Sequence, residues 1–417
     1  MTRSTRGIGF HSLRRLALRS FLGFIGVQAV VVAALVVTDA LEKKGRVQRS
    51  GFPRPGTFQA TVAETATTTY TYGEDLYQDM LAAIRGARRR ILLETFIWKD
   101  DEVGRAFRDA LNDAARRGVE VYVVYDQFGN LVVPASFYDF HPDVHVFRFP
   151  AVGPALFSAP LRATGLTHRK ILVVDNEVGF VGGYNIGSLY ATQWRDTHVR
   201  LRGPAVYELG HSFAQVWNHL ATAHPALSPA NPVSWISPVR AINNIPADLV
   251  YPIRSVYLDA ISRAQEHIHL TTAYFIPDQR ILTALIEAAR RGVDVQVMMP
   301  EESNHLLADW LSRGFYTALL AEDITVLLYR HAMIHAKTVT IDGQWSFVGT
   351  ANIDRLSLRF NYETGLAIQD QDFAADLEAI FTADSANCRQ LSLEEWSTRH
   401  PAARFAEAVL VPLRPLL

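Results

Sequence analysis

The sequence predicts an α/β protein built from two similar domains, with an apolar helix at its amino end. Three observations predict this class. A strand–helix–strand pattern occurs twice, a polar motif of identical spacing follows each copy, and one long apolar stretch lies apart from both. A chain of 417 residues has room for two or three domains with their own cores. The apolar fraction of 49% and charged fraction of 20% are typical of a globular chain and exclude a disordered one.

The apolar stretch at residues 21–37 reads FLGFIGVQAVVVAALVV, and Gln28 is its only polar side chain. As a helix it would be about 26 Å long, near the lower limit for crossing a bilayer core. Five arginines precede it and four basic residues follow it before residue 50, so the positive-inside rule leaves its orientation open. We predict an uncleaved membrane anchor within residues 1–50, helical over about 20–38. A cleaved signal peptide and a buried core helix remain the alternatives.

The two strand–helix–strand units share the hexapeptide AARRGV, at residues 114–119 and 288–293. A strand-like run precedes each unit, ILLETFIW at 91–98 and IHLTTAYFI at 268–276. Between run and hexapeptide, apolar residues recur at helical spacing. The glycine suits the end of a helix, and the β-branched residues after it suit a buried strand. Each copy therefore predicts a β–α–β unit, and the pair predicts two packed α/β domains with mixed sheets flanked by helices.

These units give the expected boundaries. We place the first domain at 60–220 and the second at 251–400. The residues between them, 221–250, are rich in proline and poor in periodic apolar positions, which predicts a linker. The last residues, 401–417, form an apolar tail whose prolines argue against a long helix. The sequence is compatible with a tail that packs on the domain and with one that contacts a membrane surface.

A polar constellation follows each unit at the same internal spacing. A lysine comes two residues after a histidine, an aspartate seven, an asparagine 17 and a further acid 28 residues after it. The members are His168, Lys170, Asp175, Asn185 and Asp196 in the first copy, and His335, Lys337, Asp342, Asn352 and Glu363 in the second. Packing tolerates exchange of similar side chains, so identical offsets in two copies indicate chemistry rather than core formation.

The spacing also indicates what each residue does. Residues two apart on a strand face the same side, so each histidine and its lysine project into one space. The Asp-Asn or Asp-Gly that follows predicts a hairpin turn, which returns the asparagine towards the histidine. Asp175 and Asp342 complete the motif, although their turn position favours bonding to backbone over direct chemistry. The later acid can accept a hydrogen bond from an imidazole nitrogen and orient the ring.

The doubled pattern HxKxxxxD resembles the signature of the phospholipase D superfamily, and the resemblance covers roughly residues 70–384. Within it the chain is most similar to the bacterial cardiolipin synthases. The stretches that carry this likeness are THRKILVVD at 167–175, WRDTHVRLRGPAV at 194–206, and SFVGTANIDRLSLRFNYE at 346–363.

The resemblance implies one active site between the two domains and no metal or cofactor, and the sequence shows no obvious metal-ligand cluster. It implies that His168 attacks phosphorus and that His335 protonates the leaving alcohol. This choice of nucleophile rests on the family alone. Non-bridging phosphate oxygens would be bound by four side chains, those of Lys170, Lys337, Asn185 and Asn352. Asp196 and Glu363 would orient the histidines.

One position departs from the family pattern. Similar proteins often carry Ser or Thr 15 residues after the motif histidine. Thr350 meets this in the second copy, but Gly183 stands in the first. We expect the backbone N–H of Gly183 to take the place of the missing hydroxyl.

The resemblance implies a membrane-anchored phosphatidyltransferase of the bacterial plasma membrane. It would move a phosphatidyl group from phosphatidylglycerol to a second phospholipid and release glycerol. A hydrolytic phospholipase D is the first alternative and a phosphodiesterase nuclease the second. The net charge of −1, from 41 basic and 42 acidic residues, weighs against a nucleic-acid partner. The apolar segment 151–166 suits either an acyl-chain entrance or an ordinary buried loop. The oligomeric state and the side of the membrane stay open.

Overall fold

The computed structural model describes residues 10–45, 51–151, 165–228 and 237–416. Within these ranges the chain forms an amino-terminal helix and two α/β halves, each built on an eight-stranded sheet. The predicted α/β class with two mixed sheets is thereby confirmed.

The first sheet has the spatial order β1-β2-β9-β7-β6-β3-β4-β5. Its strands are β1 (Thr57–Val62), β2 (Thr65–Tyr70), β3 (Arg90–Thr95), β4 (Glu120–Asp126), β5 (Val144–Phe149), β6 (Ile171–Val174), β7 (Val178–Gly182) and β9 (His198–Arg202), while the short β8 (Trp194–Arg195) lies outside it. The strands β3, β4 and β5 are parallel and the remaining neighbours are antiparallel.

The second sheet has the spatial order β10-β17-β16-β15-β11-β12-β13-β18. Its strands are β10 (Val239–Asn244), β11 (His267–Thr271), β12 (Asp294–Pro300), β13 (Thr325–Tyr329), β15 (Thr338–Ile341), β16 (Trp345–Gly349), β17 (Glu363–Gln369) and β18 (Cys388–Leu391), while the short β14 (Met333–Ile334) pairs elsewhere. Its centre repeats the first sheet: β11, β12 and β13 are parallel, and β15 and β16 form an antiparallel hairpin beside β11.

Helices cover both sheets. In chain order they are α1 (Phe10–Gly45), α2 (Gly73–Gly86), α3 (Glu102–Arg116), α4 (Ser188–Thr192), α5 (Val206–Leu220), α6 (Pro252–Arg263), α7 (Gln279–Arg290), α8 (Leu306–Leu320), α9 (Arg355–Arg359), α10 (Gln371–Ser385), α11 (Leu393–Ser397) and α12 (Pro401–Leu410). The two predicted amphipathic helices are α3 and α7, and they bury the expected apolar faces. Beyond each lies a glycine with positive φ, Gly118 at 85° and Gly292 at 92°, where a side chain would be strained.

The segment predicted as a linker contains a strand. Residues 229–236 lie outside the described ranges, but β10 pairs antiparallel with β17 at the edge of the second sheet. The linker prediction was therefore wrong for residues 239–244. Proline tolerates edge positions and strand ends, and Pro238 and Pro246 flank this edge strand rather than interrupt it.

The two chain ends pack together on the second half. Gln28 on α1 donates a hydrogen bond to the carbonyl of Val409 on α12, at 3.0 Å. In the tail, α12 buries Val409 and Leu410, and a 3-10 turn follows to Leu416. Although α1 covers the predicted anchor, the described residues include no helix that meets the length and apolarity needed to cross a membrane.

Candidate active site

Two matching hairpins position the motif histidines and lysines. His168 and Lys170 stand directly before the β6–β7 hairpin, and His335 and Lys337 stand directly before the β15–β16 hairpin. Both hairpins turn through residues with positive φ: 55° and 60° in the first, 54° and 60° in the second. Two successive positive φ angles are typical of a type I′ turn, as the Asp-Asn and Asp-Gly pairs predicted, and three residues separate the paired strand ends in both hairpins.

The backbone of each histidine is bonded to the opposite half. The N–H of His168 donates to the carbonyl of Tyr362 at 3.0 Å, and the N–H of His335 donates to the carbonyl of Arg195 at 2.6 Å. In the second case the strands β14 and β8 also pair in parallel. Each accepting carbonyl belongs to the residue immediately before an acid of the constellation, so these bonds bring the acids to the histidines.

The imidazole rings are paired across the halves in the same way. Nδ1 of His168 lies 3.0 Å from Oε1 of Glu363, and Nδ1 of His335 lies 2.7 Å from Oδ2 of Asp196. Each acid therefore orients the histidine of the other half, and in both rings Nε2 is the nitrogen left for chemistry. Each of these two pairs takes its histidine from one half and its acid from the other.

The two lysines lie in the same buried space. Nζ of Lys170 donates to the carbonyl of His168 at 2.7 Å, and Lys337 makes the corresponding bond to the carbonyl of His335. Burial lowers the pKa of Lys170 to about 7 and that of Lys337 to about 8. Because an ammonium group has three N–H donors, each lysine retains donors for a ligand.

The two histidines differ in their electrostatic surroundings. Burial lowers the pKa of both, and for His168 the carboxylate of Glu363 opposes that effect. The pKa of His335 falls well below its usual value, because the ammonium groups of Lys337 and Lys170 add to the effect of burial. Both rings are therefore neutral near pH 7 without substrate. Because Nδ1 of each ring faces its acid, the Nε2 lone pair is the one available.

The two acids also differ. Burial acts to raise the pKa of Glu363, but His168, Lys170 and Thr350 together hold it below its usual value. For Asp196 burial prevails over Lys337 and raises the pKa to about 6. Glu363 is thus the more firmly ionised partner, which makes His168 the histidine with the stronger anionic support.

The two asparagines of the constellation differ in their hydrogen bonding. Oδ1 of Asn185 accepts the N–H of Ile97 at 3.1 Å, so its Nδ2 group is the one left to donate. Oδ1 of Asn352 is buried and has no hydrogen-bond partner among the described residues. Both side chains are almost fully buried.

Thr350 and Gly183 are not equivalent in detail. The Thr350 hydroxyl donates to Oε2 of Glu363 and accepts the N–H of Thr364 at 3.0 Å. The N–H of Gly183 donates to the carbonyl of Thr197 at 3.0 Å, as the N–H of Thr350 does to the carbonyl of Thr364, so it does not replace the missing hydroxyl. The first copy instead supplies the N–H of Thr197 to Oδ1 of Asp196, at 2.7 Å.

The structure does not bring Asp175 and Asp342 to the histidines. They lie at the far ends of β6 and β15, where each carboxylate accepts three successive backbone N–H groups. Asp175 accepts those of residues 88–90 and Asp342 those of residues 265–267, at 2.8–2.9 Å. These bonds lower the pKa of both carboxyl groups against the effect of burial. Although Asp175 and Asp342 complete the motif in sequence, they do not belong with its catalytic residues. They join each hairpin to the preceding strand, which is the backbone role that their turn position favours.

Sequence reasoning missed several residues at the site. The ring of Phe96 meets His168 edge-on at 5.0 Å, and Trp194 lies 5.0 Å from His335. Arg195, fully buried, forms a two-point ion pair with Asp384 at 2.9 and 2.7 Å. The signal for Trp194 and Arg195 was present, since both immediately precede Asp196. Residues 152–164, most of the predicted acyl-chain segment, lie outside the described ranges.

Comparisons with known proteins agree with this geometry. A family described as "Cardiolipin synthase, PLD-like domain" matches residues 80–217 and 257–385, one match on each half. The chain belongs to this phospholipase D-like family. It is 34% identical over 362 residues to the major cardiolipin synthase ClsA of Bacillus subtilis, a match that covers 83% of this chain and 74% of the relative. Cardiolipin synthase A of Pseudomonas fluorescens is 32% identical, with the same coverage of 83% and 74%.

A solved structure shares the fold. The phosphatidylserine synthase of Haemophilus influenzae Rd KW20 superposes with a TM-score of 0.63 at 16% identity, covering 86% of this chain and 93% of its own. The predicted family is confirmed, and the chain is an enzyme of the phosphatidyltransferase and phospholipase D class.

Proposed function

We propose that the chain transfers a phosphatidyl group from phosphatidylglycerol to the hydroxyl of a second phospholipid and releases glycerol. The observation that carries the proposal is the crossed pairing of His168 with Glu363 and His335 with Asp196 beside two buried lysines. Such a site offers two imidazoles and two cations for one phosphodiester. The names of the relatives, which are cardiolipin synthases, support this donor and acceptor.

In the first step Nε2 of His168 attacks phosphorus, and the bond from phosphorus to the glycerol oxygen breaks. The proton for the departing oxygen comes from Nε2 of His335. The neutral resting His335 must first gain that proton, and the bound phosphodiester favours this because its negative charge raises the pKa of a nearby imidazole. Lys170 and Lys337 hold the non-bridging oxygens together with Asn185 and Asn352.

In the second step the neutral His335 removes the proton from the hydroxyl of the incoming phospholipid. The resulting oxygen attacks phosphorus, and the bond between phosphorus and Nε2 of His168 breaks. His168 is then free again, and His335 carries the proton taken from the acceptor, ready to serve as acid in the next cycle. Two molecules of phosphatidylglycerol have become one cardiolipin and one glycerol. The protein must hold the acceptor at high effective concentration, since water competes for the same intermediate.

The assignment of His168 as nucleophile is supported by the asymmetry of the acids. Glu363 has a lowered pKa and remains a carboxylate, which stabilises the positive charge that develops on His168 during attack. Asp196, with a pKa of about 6, gives weaker support to a cation on His335. A ring that must release its proton to glycerol is better served by that weaker support.

Two other outcomes follow from the same chemistry. If water resolves the intermediate, the chain is a hydrolase that yields phosphatidic acid. If the donor is a nucleic acid, the chain is a nuclease. The net charge of −1 weighs against this, because it offers no excess of basic residues to bind a phosphate backbone.

The experiment supplies phosphatidylglycerol to the detergent-purified protein and resolves cardiolipin, phosphatidic acid and glycerol. Cardiolipin with equimolar glycerol supports the proposal, and phosphatidic acid alone identifies a hydrolase. His168→Ala and His335→Ala are expected to abolish both products. The matched control is His219→Ala, which removes an exposed helical histidine and should leave activity unchanged. Full activity in both motif variants would overturn the mechanism.

We also propose that α1 attaches the chain to the membrane. One side of this helix packs on the second half, where Val32 and Leu35 contact the core. Other apolar side chains along it are exposed, among them Leu22, Val30 and Val37, at 57%, 69% and 57%. Flotation with phosphatidylglycerol vesicles tests this: Val30→Asp with Val37→Asp should weaken binding, whereas the control Leu393→Asp, an exposed leucine on α11, should not. Equal flotation of all variants would contradict the attachment.

A further inference from the structure

A second cluster of chemically active side chains lies away from the phosphodiester site. His267 and His269 stand two residues apart on β11, and Glu378 projects from α10. One donor atom from each of the three lies within 4.8 Å of the other two, and Nε2 of His267 is 2.5 Å from Oε1 of Glu378. Among the residues that the structure describes, this is the one such trio of metal-binding side chains.

The ring of His269 is held in place by stacking, but one of its nitrogen atoms has no hydrogen-bond partner among the described residues. It stacks on Phe381 with the centroids 4.6 Å apart and the planes within 3° of parallel. Its Nδ1 is buried and has no hydrogen-bond partner in the described parts of the chain. An unpaired buried nitrogen costs free energy, and a bound metal ion would remove that cost.

The duplicated fold provides an internal comparison. Asp342 accepts the N–H of His267, and Asp175 accepts the N–H of Arg90 in the same way. His267 and Arg90 therefore occupy corresponding positions in the two halves. His269 then corresponds to Leu92, which is buried in an apolar cluster. The fold therefore needs no histidine at this place. The polar trio is a property of the second half alone.

We propose that His267, His269 and Glu378 bind a zinc ion. Two imidazole nitrogens and one carboxylate are a ligand set that zinc accepts, with a fourth position open to water. Around a tetrahedral ion with bonds of about 2.0–2.2 Å, the donor atoms lie about 3.3–3.5 Å from one another. The widest gap of the trio must therefore narrow, and the Glu378 oxygen must move away from Nε2 of His267. All three side chains are only partly buried, so rotation of Glu378 away from its contact with His267 can close the site.

The position of the cluster indicates what the ion does. It lies at the end of β11 nearest the Asp342 turn, whereas the motif residues His335 and Lys337 lie at the opposite end of the adjoining β15. An ion here joins β11 to α10 and does not reach the phosphodiester. It is expected to stabilise the second half and to leave the transfer reaction unaffected.

The test uses the full chain without an affinity tag, stripped with EDTA, desalted and titrated with zinc chloride in a calorimeter. One zinc ion per chain is expected, together with a rise in Tm when zinc is added. His269→Leu, which installs the residue found at the corresponding place in the first half, should weaken binding at least about 10- to 100-fold and remove the rise in Tm. Glu378→Gln should act in the same direction.

The matched control is His141→Gln. His141 faces Asp143 at 3.5 Å in the first half, a pair without a third ligand, so its loss should leave zinc binding unchanged. If His269→Leu fails to fold by circular dichroism, Glu378→Gln decides the matter, since it replaces a partly exposed side chain. A wild-type chain that binds no zinc would overturn the proposal. So would zinc affinity that is unchanged in both His269→Leu and Glu378→Gln, or a loss of zinc affinity in His141→Gln as large as in those two variants.

Discussion

The carboxylate of Asp196 lies where a side chain on Gly183 would begin. A Cβ at Gly183 would come within 2.6 Å of both Cγ and Oδ2 of Asp196, and closer still to Oδ1. The second half has a larger residue at this position, Thr350, and its hydroxyl bonds to the acid there, Glu363. The halves therefore reach the same histidine–acid contact by two matched combinations, glycine with aspartate and threonine with glutamate.

Gly183→Ala is expected to displace Asp196 from His335. Because the new Cβ has no room, the carboxylate must move, and a displacement of about 1 Å in a catalytic group typically costs about 100-fold in rate. We expect about that loss in kcat, measured by glycerol release. The control is Gly86→Ala at the exposed end of α2, where a Cβ meets nothing within 4 Å. Wild-type kcat in Gly183→Ala would refute the matched arrangement.

Thr350→Val removes the hydroxyl that donates to Glu363. A hydrogen bond to the ionised form lowers the pKa of a carboxyl group, so its loss raises that of Glu363. Protonation of Glu363 then adds to that of Asp196, so the acid limb of kcat/KM should move to higher pH and the loss of rate should grow as the pH falls. Thr350→Ser retains the hydroxyl and should restore the wild-type profile. A Thr350→Val enzyme that is uniformly slower at every pH would indicate a packing effect instead.

The pH dependence of the wild type follows from the lysines. Their pKa values of about 7 and 8 mean that both ammonium groups are lost as the pH rises through that range, and with them the attraction for phosphate. On the acid side, Asp196 gains a proton below about pH 6 and ceases to support His335. The kcat/KM profile should therefore peak between these limits.

Bound phosphodiester should change that alkaline limb. Its negative charge favours the charged lysines, so the limb in kcat should lie at higher pH than the limb in kcat/KM. Both profiles can be measured in mixed micelles from pH 5 to pH 10. An alkaline limb of kcat/KM near the ordinary lysine pKa of about 10.4 would contradict the buried placement of these groups.

Asp384→Ala should destabilise the protein through Arg195. Arg195 is fully buried, and its carbonyl holds the backbone of His335, so the substitution leaves a cation without its anion beside the site. Breaking one partner of a buried pair costs about 3–5 kcal/mol, to be read as the free energy of unfolding in urea. Asp113→Ala, in an exposed pair with Arg116, should cost under about 1 kcal/mol. Similar losses of unfolding free energy in the two variants would show that burial of Arg195 does not raise the cost of removing its partner.

The doubled spacing predicted much of this structure. Motif residues, hairpins and amphipathic helices follow from local periodicity and turn chemistry, which act within one half. The offset of 28 residues also identified Asp196 and Glu363 as partners of histidines. It could not say which histidine each acid meets, because that depends on the interface between the halves.

Other features lay beyond local patterns. The ion pair of Arg195 with Asp384 joins residues 189 positions apart, and the trio at β11 and α10 forms only when that helix packs on its sheet. The sequence does not predict strand β10, because proline is typical of irregular chain and is also compatible with an edge strand.

The central claim is that the phosphatidyl group passes through His168, with Glu363 of the other half as its support. The most direct test quenches the wild-type enzyme during turnover of phosphatidylglycerol and maps the modified peptide by mass spectrometry under conditions that preserve phosphoramidates. We expect a phosphatidyl adduct on His168, much reduced in Glu363→Gln and absent from His168→Ala. An adduct on His335, or sustained turnover in His168→Ala, would contradict the mechanism.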